Sequence, residues 1–195
     1  MILLRTDRLV LRTWEDTDRD LFREINRDHK VMEYFPFRRT HEEADAMLER
    51  LRADMADTGL GFHALELVET GEPIGFCGLA HARLEPLLPD QAVEIGWRLA
   101  TRFWSHGYVT EAATALCRHG FETLALNEIL SFAVATNARS IRVMQRIGMK
   151  PAPELDFDHP RVPDTHPHLK RHVVYRMTRE DAGMPPRPRD TPARP

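Results

Sequence analysis

The stretch EIGWRLATRFWSHGYVTEAA, residues 94–113, decides the fold of this chain. Its first residues alternate in character, as a strand does, and a helical period begins at Gly107, so we predict a strand, a short loop and a helix. A helix that starts between Gly107 and Thr110 presents unpaired backbone N–H groups and the positive end of its dipole, and Arg102 adds a full charge nearby. The pattern predicts an anion site that suits a pyrophosphate.

The predicted strand has two different faces, because successive side chains of a strand point to opposite sides. One face carries Val93, Ile95, Trp97 and Leu99, and the other carries Ala92, Glu94, Gly96 and Arg98. Gly96 is expected to leave room for a ligand beside Glu94, whose carboxylate can accept a proton from an amine directly or through water. A water chain or a histidine such as His81 is the alternative base.

The chain before this stretch predicts strands and helices in mixed order. Residues 8–14 alternate between apolar and polar, and Asp16 offers an N-cap for a helix near 16–29. Thr40 opens a capping box, Thr-His-Glu-Glu, for a helix that ends near Gly59. Three strand-like segments follow as an antiparallel meander: 62–69, 74–84 and 91–99.

The chain after residue 113 completes an α+β pattern with a mixed sheet. The helix that starts at Gly107 runs to about residue 126, and the further elements are a strand at 128–136, a helix at 137–147 and a strand at 169–178. Residues 151–168 predict no secondary structure, so they form either a functional loop or a locally disordered one. We expect one domain over residues 1–183 and a disordered tail rich in Pro and Arg over 184–195.

Composition excludes several classes of protein. A chain of 195 residues with a formal net charge of −3 lacks the basic excess that nucleic-acid binding requires. Cys77 and Cys117 lie in apolar runs without metal-ligand spacing, and we interpret them as buried thiols in a reducing compartment. The amino terminus is too charged for a signal peptide, and no run is long enough to span a bilayer. We expect a cytoplasmic protein with no membrane or nucleic-acid partner.

Residues 94–113 resemble the acetyl-CoA-binding motif of the GNAT superfamily, whose pattern is Arg/Gln-x-x-Gly-x-Gly/Ala after a strand. Arg102 and Gly107 match its two ends. Four further pieces fit in order: TDRLVLR at residues 6–12, PIGFCGL at 73–79, NARSIRVMQRIGM at 137–149 and HVVY at 172–175. Together they resemble the RimJ/RimL-like branch, which acetylates protein N-termini or small amines.

The resemblance implies a fold and a reaction. The fold is a GNAT-like mixed sheet, mostly antiparallel, of six to seven strands with about four helices in a single domain. The reaction moves an acetyl group from acetyl-CoA to a primary amine, without a metal. Glu94 and Ser140 are the implied catalytic residues. The implied cofactor-binding residues are Ile95, Gly96, Trp97, Arg102, Phe103, Trp104, Ser105, His106, Gly107, Tyr108, Val109, Thr110 and Asn137.

Two residues depart from the family pattern. Ser105 stands where the pattern usually has its first glycine, so the loop must approach the phosphates with a Cβ present. Met144 stands where many relatives carry a tyrosine that protonates the thiolate, and a thioether cannot donate a proton. Ser140, one turn earlier, is the nearest hydroxyl. Asn137 is expected to act both as an N-cap and in the cofactor site.

Alternatives to this reading remain open. One is a non-catalytic acyl-CoA-binding module that regulates a partner, and another is an acyltransferase for a longer donor such as succinyl-CoA, with His106 and Arg98 near its anion. A homodimer is compatible with the sequence. His159, His166, His168 and His172 lack the spacing of a closed metal site, so we interpret them as surface histidines. The acceptor amine has no motif in the chain.

Overall fold

The computed structural model describes residues 1–185, which form an open mixed sheet with two helices on each face. The helices are α1 (Arg19–Arg27), α2 (His41–Thr58), α3 (Tyr108–Glu122) and α4 (Ala138–Arg146). The strands are β1 (Ile2–Arg5), β2 (Leu9–Arg12), β3 (Gly61–Leu67), β4 (Pro73–His81), β5 (Val93–Leu99), β6 (Glu128–Val134), β7 (Lys150–Pro151), β8 (Phe157–Asp158) and β9 (Arg171–Thr178). None of the helices in this range is long and apolar enough to cross a membrane.

The strands run in the order β1-β2-β3-β4-β5-β6-β9-β7, and β8 also pairs with β9. Every neighbouring pair is antiparallel except β5 and β6, which are parallel. The predicted α+β class, the mostly antiparallel mixed sheet and the four helices are confirmed. The strand count of six to seven is wrong, since residues 1–185 already form a sheet of nine strands. The missed strands β1, β7 and β8 are edge or two-residue pieces, too short for a period to be visible in the sequence.

The segment 151–168 has defined structure in spite of its composition. It contains β8 and two short 3-10 turns, and Phe157 and Val162 are buried. Of the two alternatives left by the sequence, local disorder is wrong, and a function for this loop stays a prediction. The predicted tail at 184–195 lies outside the described residues except for Met184 and Pro185.

The two faces of the sheet bury separate apolar clusters. The α3 and α4 face packs residues such as Ile95, Leu116 and Met144, while the α1 and α2 face is aromatic. There the rings of Trp14 and Phe22 meet edge to face at 5.1 Å between centroids. Aromatic pairs of this geometry add to the stabilisation that burial provides.

A buried ion pair joins β2 to the start of α1. The Arg12 guanidinium donates two hydrogen bonds to Asp18, at 2.7 and 2.9 Å, and a third to Glu66 at 2.6 Å. The Asp18 side chain is only 1% exposed. Removal of one charge from such a pair leaves the other buried without compensation.

We therefore expect Asp18→Asn to lower the free energy of unfolding by about 2 kcal/mol, since the remaining amide oxygen accepts only part of the guanidinium's hydrogen bonds. Urea unfolding at pH 7 measures the change. Asp16→Asn is the matched control, because Asp16 pairs with Arg19 and Arg52 at the surface and exposed pairs contribute little. Equal effects of the two substitutions would contradict the special role of the buried pair.

Candidate active site

Strands β5 and β6 separate and leave a gap in the middle of the sheet. They are in register only where Glu94 faces Leu130. Just beyond, the Ser131 hydroxyl donates to the Ile95 carbonyl at 3.0 Å and takes the place of a strand partner. Further along, the Leu99 carbonyl accepts a hydrogen bond from the Trp104 indole at 2.9 Å.

The backbone of Trp97 lies between these two capped carbonyls. Alternate residues of a strand turn their N–H and C=O groups to the same side, so the Trp97 groups also face the gap. Ile95 and Leu99 have side-chain partners there, whereas Trp97 faces the open part of the gap. A ligand with amide groups can pair with it as an added strand does.

The gap opens into a cleft of about 890 Å³ that most of the predicted site residues line. The predicted residues that line it are Glu94, Ile95, Gly96, Trp97, Phe103, Trp104, Ser105, Gly107, Tyr108, Val109, Thr110, Asn137 and Ser140. A volume of this size is typical of a site for a drug-sized or cofactor-sized ligand. The structure therefore brings residues 94–110 and the start of α4 together around one cavity.

Two predicted cofactor residues do not line the cleft. The Arg102 guanidinium donates to Glu24 on α1 and lies 4.8 Å from the centroid of the Phe103 ring. The His106 ring stacks on Tyr108 at 5.5 Å between centroids. Arg102 is directed away from the cleft by a carboxylate 78 residues earlier in the chain, a pairing that no local pattern reveals.

The N-terminus of α3 faces the cleft without a side-chain cap. Gly107 occupies the N-cap position in the left-handed region (φ 79°), and the first helical hydrogen bond runs from the Glu111 N–H to its carbonyl. The N–H groups of residues 108–110 therefore have no partner within the helix. Helix α2 is capped by Thr40 and α4 by the Asn137 side chain, so α3 differs from both in leaving its N–H groups for a ligand.

The loop before α3 is held in shape by Arg8, which lies between β1 and β2. Arg8 donates to the His106 carbonyl at 3.0 Å, and its guanidinium also pairs with Glu111 of α3. Ser105 has a φ of 65°, a conformation that costs a residue with a Cβ about 1–2 kcal/mol. This geometry explains why glycine is usual at that position of the motif, and it shows that serine adopts the same conformation here.

Helix α4 supplies a hydroxyl and three arginines to the cleft, one of them Arg139. The Asn137 side chain accepts the Ser140 N–H at 3.2 Å, which confirms the N-cap, and the Ser140 hydroxyl has no partner within residues 1–185. Arg142 and Arg146 also line the cleft, and the sequence reasoning missed both. Their spacing of four residues on a helix that follows Asn137 is the signal that could have found them.

Met144 lies in the core and not in the cleft. Its side chain is fully buried in the apolar cluster under α3 and α4. The position where relatives carry a tyrosine is thus filled by an apolar contact, and the cleft has no proton donor there.

Glu94 is the carboxylate at the narrow end of the gap. Burial raises the pKa of Glu94 to about 8, although the positive charge of Arg161 lowers it in part. A carboxylate with a pKa near neutral pH is suited to general base catalysis.

The space above Gly96 has a different occupant from the one predicted. A Cβ built on Gly96 would lie 2.9 Å from Cε1 of Phe62, so the glycine makes room for this ring from β3. Phe62, Gly78 and Gly96 stand in register across three strands, and the ring lies against Gly96. The missing side chain therefore has a packing reason, which only the sheet register reveals.

The interpretation of the C-terminal histidines as surface residues is wrong for His159 and His172. Both line the cleft, their rings are 4.9 Å apart, and His172 is buried. Burial lowers the pKa of His159 to about 4 and lowers that of His172 as well, so both rings are neutral at pH 7. No group of three His, Cys, Asp or Glu residues within 1–185 could hold a metal ion.

Comparison with known proteins defines the class. A family model described as "Acetyltransferase (GNAT) domain" matches residues 8–150. The chain is 29% identical over 150 residues to the uncharacterized N-acetyltransferase YnaD of Bacillus subtilis (strain 168), an alignment that covers 75% of this chain and 82% of YnaD. The crystal structure of the acetyltransferase from Agrobacterium tumefaciens str. C58 is 30% identical with a TM-score of 0.71, covering 89% of this chain and 92% of its own.

A more distant structure shows a likeness of fold alone. It is RimL, a ribosomal L7/L12 alpha-N-protein acetyltransferase solved in complex with coenzyme A, at 14% identity and a TM-score of 0.72, covering 91% of this chain and 98% of RimL. The chain belongs to the GNAT acetyltransferase family, as its motifs predicted. It is therefore an acetyl-CoA-dependent acetyltransferase, which transfers the acetyl group to an amine.

Proposed function

We propose that the protein acetylates a primary amine by direct attack on acetyl-CoA in a ternary complex, and that it lies near the RimJ/RimL-like branch. The observation that carries the proposal is the juxtaposition of the open β5/β6 gap with the uncapped N-terminus of α3. The gap suits an amide-bearing arm and the helix terminus suits a pyrophosphate. RimL, which shares the fold, was solved with coenzyme A.

The cofactor lies between strand β5 and helices α3 and α4 in this proposal. Its pyrophosphate accepts hydrogen bonds from the N–H groups at the start of α3, and Arg142 and Arg146 supply positive charge from α4. The pantetheine arm pairs with the Trp97 backbone in the gap. The thioester then lies where β5 and β6 begin to separate, close to Glu94.

The chemistry follows from the groups around that point. The ionised carboxylate of Glu94 accepts a proton from the ammonium form of the acceptor, directly or through water, and the neutral amine attacks the thioester carbonyl. A backbone N–H of β5 stabilises the oxyanion. The C–N bond forms first, and the C–S bond breaks as the tetrahedral adduct collapses. The nitrogen then releases its second proton to solvent, and the coenzyme A thiolate takes a proton from solvent, directly or relayed through Ser140, because Met144 is buried and has none to donate.

Acetyl-CoA is expected to stabilise the folded protein. A ligand that binds only the native state contributes about 2.7 kcal/mol at 100 times its Kd, so millimolar acetyl-CoA should raise Tm by several degrees. Thermal denaturation with and without acetyl-CoA measures this, with adenosine as the control that lacks the pyrophosphate and the arm. An unchanged Tm would contradict the cofactor assignment. Turnover of any amine in the same preparation would exclude the non-catalytic alternative.

A further inference from the structure

Arg98 is a charged side chain in the cleft that the reaction proposed above does not use. It extends from the same face of β5 as Glu94, toward α1 and the connection between α1 and α2, and it lines the cleft. Its guanidinium donates one hydrogen bond, to the Asn26 side-chain oxygen at 2.5 Å, and has no carboxylate partner within residues 1–185. Four of the five donors of the fork are left for a ligand.

The guanidinium is held in place by its surroundings. Its centre lies 4.3 Å from the Phe35 ring centroid and 5.4 Å from that of Phe76, distances typical of cation–π contacts. Asn26 is fully buried, and its Nδ2 donates to the Phe22 carbonyl at 2.8 Å, which fixes the oxygen that Arg98 contacts. Arg98 is therefore oriented before any ligand arrives, which lowers the entropic cost of binding.

A second cation lies beside it. The backbone N–H of Arg39 donates to the backbone carbonyl of the same Asn26 at 3.0 Å, and the Arg39 side chain lines the same cleft as Arg98. Its Nε is buried without a hydrogen-bond partner in the described part of the chain. Neither arginine forms an ion pair there, and the nearby cleft carboxylate of Glu43 is engaged as the helix cap of α2. Burial and the charge of Arg39 lower the pKa of Arg98 to about 9, so the guanidinium still carries its charge at pH 7.

We propose that Arg98, with Arg39 beside it, binds a carboxylate of the acceptor, so that the amine acetylated by this protein belongs to an amino acid or a similar amino carboxylate. This inference rests on the proposed function and names its substrate class. The planar fork of arginine matches a carboxylate with two parallel hydrogen bonds. Two half-buried cations without a counter-ion among residues 1–185 are costly in the free protein, and an anionic acceptor relieves that cost.

The cation pair belongs to the acceptor side of the cleft by its position in the fold. Its contacts come from α1 and the α1–α2 connection, whereas the groups assigned to the cofactor come from α3, α4 and the loop before α3. A longer donor such as succinyl-CoA would place its own carboxylate near the same strand. The donor is therefore varied as well as the acceptor in the experiment.

The test compares each amino carboxylate with its own carboxamide as acceptor, using acetyl-CoA at pH 7.5. The panel contains α-amino acids and longer ω-amino acids, because the distance between amine and carboxylate is part of the question. We expect kcat/KM to be at least tenfold higher for the carboxylate member of the preferred pair. Arg98→Met should remove this preference, and Arg98→Lys, which keeps the charge but not the fork, should retain part of it.

Arg118→Met is the matched control, because Arg118 is an exposed arginine of α3 outside the cleft. It should keep the full preference. Acetyl-CoA-dependent stabilisation should be the same in all these variants and also shows that each is folded.

Equal turnover of carboxylate and carboxamide by the wild type would overturn the inference and leave the proposed function intact. A preference that Arg98→Met does not change would also overturn it. A third contrary result would be turnover that is faster with succinyl-CoA than with acetyl-CoA, together with loss of this difference in Arg98→Met. Arg98 would then bind the carboxylate of the donor and not that of the acceptor. Absence of turnover for every amine, with acetyl-CoA still bound, would contradict the proposed function itself.

Discussion

Glu94→Gln is expected to lower kcat at pH 7 by about a hundredfold or more while acetyl-CoA binding stays nearly intact. An acceptor amine is mostly protonated at this pH, since reference pKa values are about 7.7–8.0 for an α-amino group and about 10.4 for lysine. The wild-type kcat should rise with pH as Glu94 ionises around its pKa of about 8. The variant should lack that inflection, and its residual rate should rise only as free amine accumulates.

The same substitution should make the fold more stable at alkaline pH. Because the folded-state pKa of Glu94 is raised above its value of 4.5 in the unfolded chain, its contribution to stability is present below pH 4.5 and is lost as pH rises toward 8. Glutamine carries no charge and avoids that loss. At pH 8.5 we expect the free energy of unfolding of Glu94→Gln to be about 2 kcal/mol higher than that of the wild type. This figure allows for partial solvation of the Glu94 carboxylate by water in the cleft.

Two measurements separate catalysis from structure at this position. Steady-state kinetics between pH 6 and 9.5 with saturating acceptor measure the contribution of Glu94 as the catalytic base. Urea unfolding at pH 5 and 8.5 measures how the Glu94 charge changes the stability of the fold. Glu128→Gln serves as control, because Glu128 is a strand carboxylate outside the cleft. Near-normal kcat of Glu94→Gln at pH 7 would assign the base to a water chain or to a cleft histidine, His159 or His172, since His81 does not line the cleft.

Gly107→Glu is expected to raise the Kd for acetyl-CoA by at least a hundredfold, which corresponds to about 2.7 kcal/mol. A Cβ at this position meets only Arg8, at 3.6 Å from Nη2, so the new side chain has space. Its carboxylate would lie between Arg8 and the free N–H groups of α3 and would compete with the pyrophosphate for both. The left-handed backbone adds a strain of about 1–2 kcal/mol to the fold.

Gly107→Ala distinguishes strain from competition. Alanine carries the same penalty at a φ of 79° but has no carboxylate. We expect it to change the affinity for acetyl-CoA by less than tenfold, with a similar loss of stability. Calorimetric titration of both variants with acetyl-CoA is the measurement. Equal losses of affinity in the two variants would assign the effect to loop strain, and an unchanged affinity in Gly107→Glu would move the phosphate site elsewhere.

Local pattern was sufficient wherever neighbours in the sequence are also neighbours in space. The strand-loop-helix of residues 94–113, the helix caps at Thr40 and Asn137 and the alternation of β5 depend on contacts within a few residues. For the same reason the sequence located the free N–H groups at the start of α3. It also placed Glu94 in the cleft, because the faces of a strand follow from its period of two.

The predictions failed or were incomplete where a partner comes from a distant element. Arg102 pairs with Glu24 instead of lining the cleft, and the space at Gly96 is filled by Phe62, which lies two strands away. His172 is buried and His159 is half-buried because β8 and β9 bring them together with Phe157. None of these pairings leaves a periodic signal in the chain.

The sequence by itself determined the class of fold, the family and the position of the helix start at α3 that we propose as the anion site, because each depends on local backbone geometry or on short ordered motifs. Only the tertiary structure decided which charges face the cleft. Arg98 and Arg102 lie four residues apart, yet one contacts Asn26 inside the cleft and the other is paired with Glu24 outside it. The reason is that the direction of a long charged side chain depends on where it finds a hydrogen-bond partner and water. For both arginines, these are set by the way α1 packs on the sheet.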